Sequence, residues 1–268
     1  MKNKFLYWFF CINTGLLFLS HEYVLMSEDY KVEKGDILYL HLFVAEGFNV
    51  ILERPLQKSE TRNFTIETNE GITNLLTNGK DEQLPVFETT VDFDGPALIS
   101  MERDYSRISL PPDEFAQYLL TDHLDNILFD EEKTSALQRE KYSRYLKALI
   151  LTGKNNSGDL YKKELGYALE IILLDDPYSL KVGDSINAKI LFRGMPLIGK
   201  TITARSRNGD DNAMVSTAKT DGSGSVKFSI NKEGDWFIHL THMIPCADKS
   251  DCDWESFWAS YSFGIDGE

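Results

Sequence analysis

Apolar residues recur at every second position along most of the chain, in short runs broken by turn residues, which is the period of β-strands. Leu38, Leu40, Leu42 and Val44 alternate with Tyr39, His41 and Phe43, and both sets are apolar enough to predict a strand buried on both faces. Shorter runs follow at 63–67, 86–91 and 97–101, separated by Asn78-Gly79 and Asp94-Gly95-Pro96. The spacing predicts an all-β domain over 21–110.

The period then lengthens. Leu110-Pro-Pro-Asp-Glu reads as a helix start, with proline in the opening turn and acids near the positive end of the helix. Phe115, Tyr118, Leu119 and Leu120 form its apolar stripe. A second helix is predicted over 135–151 from Tyr142, Tyr145, Leu146, Leu149 and Ile150, with Gly153 as its stop. On this reading Arg139, Lys141, Arg144 and Lys147 decorate a solvated face. The two helices make a connector over 111–153, followed by a flexible stretch at 155–159.

Period two returns over 165–266. Residues 169–174 read as a buried strand, and Ile186, Ala188, Ile190 and Phe192 alternate inward, as do Ile202 and Ala204, then Val226, Phe228 and Ile230. Asn208-Gly209 and Asp221-Gly222 mark turns. The expected fold is mainly β: two immunoglobulin-like β-sandwich domains, 21–110 and 165–266, joined by a short helical connector. A faint echo links the halves, since Tyr30-x4-Gly35-Asp36 and Tyr178-x4-Gly183-Asp184 each precede a strand.

The last stretch, 234–265, concentrates the chemistry. It opens as a strand with Trp236, Ile238, Leu240 and His242 on one face and Phe237, His239, Thr241 and Met243 on the other. A loop with Cys246 and Cys252 near its ends follows, then an apolar run that closes the chain as a final strand.

Lys2 and Lys4, an apolar run over 5–19 and the small Ser20 have the layout of a secretory signal peptide over 1–20, too short for a comfortable membrane span. Export to the periplasm is the expectation, with an uncleaved membrane anchor as the alternative. In that compartment a disulfide between Cys246 and Cys252 is favoured over thiolate metal ligation. The formal charge is −14, and loss of the two leader lysines takes it to −16. So acidic a surface argues against nucleic acid or an anionic membrane as partner. No nucleophile elbow, phosphate loop or zinc-protease helix is present, and Gly222-Ser-Gly224 precedes a strand, so neither an enzyme nor nucleotide binding is expected.

Several landmarks occur together and in order: HEYVLMSEDYKVEKGD, VAEGF, FAQYL with LDNIL, REKYSRYLKALI, LEIILLDDPYSLKVGDSINAKILFRGMPLIGKTI, TDGSGSVKFSINKEGDWFIHLTHM and DWESFWASYSF. With them the chain resembles, from His21 onward, an exported bacterial domain-of-unknown-function family associated with nickel uptake or with a periplasmic component of cobalt transport. The resemblance implies a non-enzymatic metal-binding accessory protein whose cargo, Ni(II) or Co(II), passes to a membrane metal transporter. It also implies a histidine just after the leader, matched by His21, and one near the end of the penultimate strand, matched by His242. Phe18 departs from the small residues usual before that first histidine. His239 and the cysteine pair look particular to this chain.

After cleavage His21 would offer its α-amine and its ring nitrogen to one metal, a donor pair that also suits Cu(II) or Zn(II). Tyr23 stands third, so the square-planar tripeptide site is absent. A further ligand has to come from His242 or, second, His239; three apart, they leave a regular strand on opposite faces. His41 is a weaker candidate, and His123 reads as solvated. Asp251, Asp253 and Glu255 read as surface acids, and Trp254, Phe257, Trp258 and Tyr261 as core or as a stacking surface. That surface motivates the rival reading of a carbohydrate- or protein-binding module. A copper-dependent oxidase is a third and requires a second histidine beside His21.

Overall fold

Strands that are apolar on both faces have to be covered on both. In a computed structural model that describes residues 22–209 and 211–266, three stacked sheets do this. The first half of the chain runs through β1 (Glu22–Ser27), β2 (Lys31–Val32), β3 (Ile37–Glu46), β4 (Asn49–Arg54), β5 (Thr61–Thr68), β6 (Gly71–Asn74), a one-turn helix α1 (Leu75–Asn78), β7 (Phe87–Thr90), β8 (Gly95–Leu110), helix α2 (Pro112–Thr121) and β9 (Gln138–Thr152). The second half holds β10 (Leu169–Leu173), β11 (Ser185–Phe192), β12 (Met195–Pro196), β13 (Thr201–Arg207), β14 (Met214–Lys219), β15 (Ser225–Ser229), β16 (Gly234–Pro245) and β17 (Trp254–Ile265). No described helix is long and apolar enough to cross a membrane.

The central sheet runs β14-β13-β16-β17-β9-β8-β5-β6, with β2 added beside β9. One outer sheet is β1-β3-β4 with β7 on β3, and the other is β10-β11-β12 with β15 on β11. They lie on opposite faces of the central sheet, as the alternation along β9 demonstrates. Leu146, Ala148 and Ile150 pack with Leu25, Leu38 and Leu40 of the first outer sheet. Tyr145 and Leu149 pack with Leu169, Ile186 and Phe228 of the second. The chain is mainly β as expected, but both halves share one central sheet in place of two sandwiches held apart by a helical connector.

The first helix is present as α2, burying Phe115, Tyr118 and Leu119, while Leu120 is exposed. The second helix, predicted over 135–151, is corrected to β9. Its apolar residues fall at helical spacing only because both faces of this strand are buried, so apolar side chains occupy odd and even positions alike and period two disappears. β9 pairs antiparallel with β8 and parallel with β17. Arg144 and Lys147, expected in solvent, are consequently buried.

The Gly-Asp echo is a repeated structure. Gly35 and Gly183 have φ of 100° and 101°, a region open to glycine at little cost. Asp36 and Asp184 accept, through Oδ2, from the amides of Glu33 and Lys181. The glycine amides donate across to Val91 and Ile230 carbonyls at 2.9 and 2.8 Å. Each turn thus launches the middle strand of one outer sheet, β3 or β11.

Helix α2 lies against the end of the central sheet through Met243 and the rings of Trp254 and Trp258. It is pinned by Tyr118, whose hydroxyl donates to buried Glu140 at 3.0 Å, beside a second hydroxyl from Ser256. Burial pushes the Glu140 carboxyl up to about 7 against the lowering effect of those two donors. A carboxyl raised in the fold takes up a proton on folding between its unfolded and folded pKa. Stability from this group is therefore complete below about 4.5 and is lost as pH rises through about 7. Glu140→Gln keeps an oxygen for both hydroxyls and removes the charge. We expect it to exceed the wild type in stability by about 3 kcal/mol at pH 8 and to match it near pH 4. Equal denaturation midpoints at pH 8 would contradict this.

Candidate functional site

The end of α2, the start of β1 and the β13–β16 pair enclose a cavity of about 260 Å³ on the face of the central sheet that carries the first outer sheet. Glu22, Glu46, Asp122, His123, Arg205 and His239 line it among threonines and Trp258. Alternation along β16 puts His239 here, opposite Thr203 of β13 and Ser260 of β17. Three carboxylates line the cavity with one guanidinium, and the nearby Lys200 ammonium interacts with Asp122 and donates to the His123 carbonyl, so the acids outnumber the cations and the cavity favours a cation.

Glu22 organises the site. Its Oε1 accepts from Arg205 at 2.7 Å and its Oε2 from the Gly47 amide at 2.9 Å. Gly47 has φ of 65°, which lets its amide turn toward the carboxylate. Burial alone would raise Glu22, but His239, Arg205 and the Gly47 amide together hold its carboxyl below the usual range. His239 Nε2 lies 3.3 Å from Glu22 Oε1 yet makes no hydrogen bond and is buried. Burial brings the ring down to about 4, outweighing the nearby Glu22. At neutral pH the His239 ring is therefore uncharged and its Nε2 makes no hydrogen bond, so the ring can offer a nitrogen lone pair to a metal. Asp122 accepts from the Thr241 hydroxyl at 2.7 Å.

His242 lies on the other face of β16, packed edge-on against Phe192 with ring centroids 4.5 Å apart. Burial first, then the cations Lys200 and Arg193, bring its ring down to about 4. Those cations would repel a metal. His239 and His242 are not brought together, and it is the second of them that stands apart from the start of β1. His21 lies outside the described residues. His41 is held between Glu53 and Glu28, at 2.7 and 3.2 Å, and stacks on Phe43. His123, expected in solvent, lines the cavity at a φ of 52°.

Cys246 and Cys252 are joined in a disulfide. Asp251 lies close to their sulfurs, but oxidised sulfur is no thiolate ligand. Three acids in or beside that loop are paired with cations: Asp251 with Arg107 and Lys141, Asp253 with Arg139, and Glu255 of β17 with Arg193. Trp254 stacks on Phe115 at 5.4 Å and Trp258 on Tyr118 at 6.0 Å. Their indole N–H groups donate to Gln138 and Ser256. Phe257 and Tyr261 are core residues. Trp254 and Trp258, both half-buried, thus pack against α2.

Sequence reasoning missed Glu22, Glu46, Asp122 and Arg205. Only Glu22 left a signal, as the residue directly after His21.

Among curated proteins none matches the chain. Among solved structures, the D0-D1 domain of Intimin is similar at 13% identity, over 90% of this chain and 97% of that one, with a TM-score of 0.23. A tetra-tandem repeat in the extending region of a large adhesion protein is similar at 12% identity, over 91% of this chain and 49% of that one, with a TM-score of 0.21. A family model, by contrast, matches from residue 19 to residue 244, and the chain belongs to that family, the domain of unknown function DUF4198.

Proposed function

We propose that this protein is an exported, non-enzymatic accessory protein that binds a divalent transition metal, nickel or cobalt, as cargo for a membrane transporter. The observation that carries the reading is His239: neutral, unpartnered at Nε2, 3.3 Å from Glu22 and on the wall of a carboxylate-rich cavity. His21 is bonded to Glu22, so a chain cleaved before it begins within about 4 Å, one Cα step, of a cavity residue. Imidazole, carboxylate and an α-amine suit Ni(II), Co(II), Cu(II) or Zn(II) better than hard cations. Arg205, already on Glu22, neutralises part of the carboxylate charge and keeps the metal exchangeable, as a cargo must be.

The test is metal affinity by competition titration with nickel, cobalt, copper and zinc on the secreted protein, with its N-terminus read from intact mass. We expect His239→Ala to weaken binding at least about 10-fold and His242→Ala to leave it unchanged. Unchanged affinity in His239→Ala removes this site, and a wild-type protein that binds none of the four metals removes the function.

A further inference from the structure

Two arginines face each other inside the structure. Arg103 of β8 and Arg144 of β9 are direct cross-strand partners. They are 3% and 8% exposed. Like charges directly opposite on neighbouring strands destabilise a sheet, and burial sharpens the repulsion. A third guanidinium, Arg54, reaches the same place, donating through Nε to the Tyr23 hydroxyl at 3.3 Å. Among the described residues one carboxylate answers these three cations: Glu60, which accepts from Arg103 Nη2 at 2.6 Å, next to Gln57 at 2.9 Å. Arg103 Nη1 and Arg144 Nε are buried without a hydrogen-bond partner. Burial first, and then the Arg144 charge, lower the pKa of Arg103 against the raising effect of Tyr23 and Glu60. Among the described residues the Arg144 guanidinium is seen against rings, with Tyr23 at 3.5 Å, Tyr142 at 4.5 Å and Trp258 at 6.0 Å.

Glu140, four residues along β9 from Arg144, feels the Arg144 charge but makes no ion pair with it, since its carboxyl accepts from Tyr118 and Ser256. In a chain of net charge −14, an arginine cluster with a single carboxylate is not a product of composition. Tyr23, Arg54 and Gln57 are half-buried and Glu60 is exposed, so the cluster opens to solvent on that side.

We infer that Arg54, Arg103 and Arg144, with the Tyr23 hydroxyl, form a binding site for a small oxyanion of carboxylate or phosphate type. The planar fork of a guanidinium matches two oxygens of such a group, and one anion between Arg103 and Arg144 converts their repulsion into two charge-assisted pairs. The site lies on the same face of the central sheet as His239, two strands away across Trp258, which pairs with Arg144 on one side and Thr241 on the other. It holds its anion whether or not His239 takes a metal.

The test is thermal unfolding of metal-free full-length protein at constant ionic strength, with citrate, acetate or phosphate replacing chloride. We expect citrate or phosphate to raise the Tm by about 3 °C or more at millimolar concentration. Citrate acting alone identifies a carboxylate site and phosphate alone a phosphate site. Arg144→Gln should unfold at or above the wild-type Tm in chloride, because the repulsion is gone, and should lose the anion response. Arg54→Gln, at a half-exposed position, should keep the chloride Tm and weaken the response about 10-fold in concentration. No shift beyond chloride in the wild type, or a full shift in Arg54→Gln, overturns the inference; the second variant decides if Arg144→Gln does not fold.

Discussion

Glu170→Ala should destabilise the protein by about 5 kcal/mol and Lys147→Met by about 3 kcal/mol, with the glutamate the costlier loss. The two form an ion pair at 2.6 Å with side chains 1% and 2% exposed. Removing either partner leaves an unpaired charge where water cannot reach it. The asymmetry comes from the other bonds of the carboxylate, which also accepts from the amides of Leu165, Gly166 and Tyr167. Without Lys147 the carboxylate keeps those three donors. Without Glu170 the ammonium keeps only the Lys163 and Ile171 carbonyls, at 3.0 and 3.1 Å, and three amides lose their acceptor. An isolated buried pair can often be replaced by two apolar residues at little cost. Here Lys147→Met with Glu170→Met should recover little, because the turn at 165–167 is folded around the carboxylate. Urea denaturation of the three variants measures this. Equal losses in the two single variants, or a double variant as stable as the wild type, would show that the pair does not anchor the turn.

Lys147 also marks where the sequence stops being legible. The outer strands announce themselves, since β3, β11 and β15 alternate clearly and the turns before β3 and β11 carry Gly-Asp at the same spacing from a tyrosine. β9 does not, because its apolar side chains serve two cores and its period cannot be told from a helix. Two of the basic residues that made this stretch look like a solvated helix face, Arg144 and Lys147, are buried. Their burial depends on strands far along the chain, β17 for one and β10 for the other, and no local pattern encodes that. The candidate site divides in the same way. Strand parity alone separates His239 from His242. Which of them meets the start of β1 depends on the outer sheet that β1 joins, a long-range choice, and the residue ranked second in the sequence proved to be the one beside Glu22.

Those two histidines give the expected acid response. Both rings lie at about 4 in the fold, lowered by burial from 6.5. A histidine lowered in the fold binds fewer protons folded than unfolded between about 4 and 6.5, so stability falls as pH drops through that window. Each ring contributes about 3 kcal/mol across it. Glu140 acts in the opposite sense, taking up its proton on folding as pH falls from about 7 toward 4.5. One carboxyl cannot offset two imidazoles, so the wild type should lose about 3 kcal/mol between pH 6.5 and 4.5. His242→Gln, at a ring packed on Phe192 near Lys200 and Arg193, should flatten the curve without touching the cavity beside Glu22. In that variant the remaining histidine and Glu140 nearly cancel. In Glu140→Gln both histidines act unopposed, and the loss should approach about 5 kcal/mol. Urea midpoints at half-unit pH steps would establish the order, with Glu140→Gln steepest, wild type intermediate and His242→Gln flattest. Any other order means that the neutral rings or the buried carboxyl are not what the fold holds in those states.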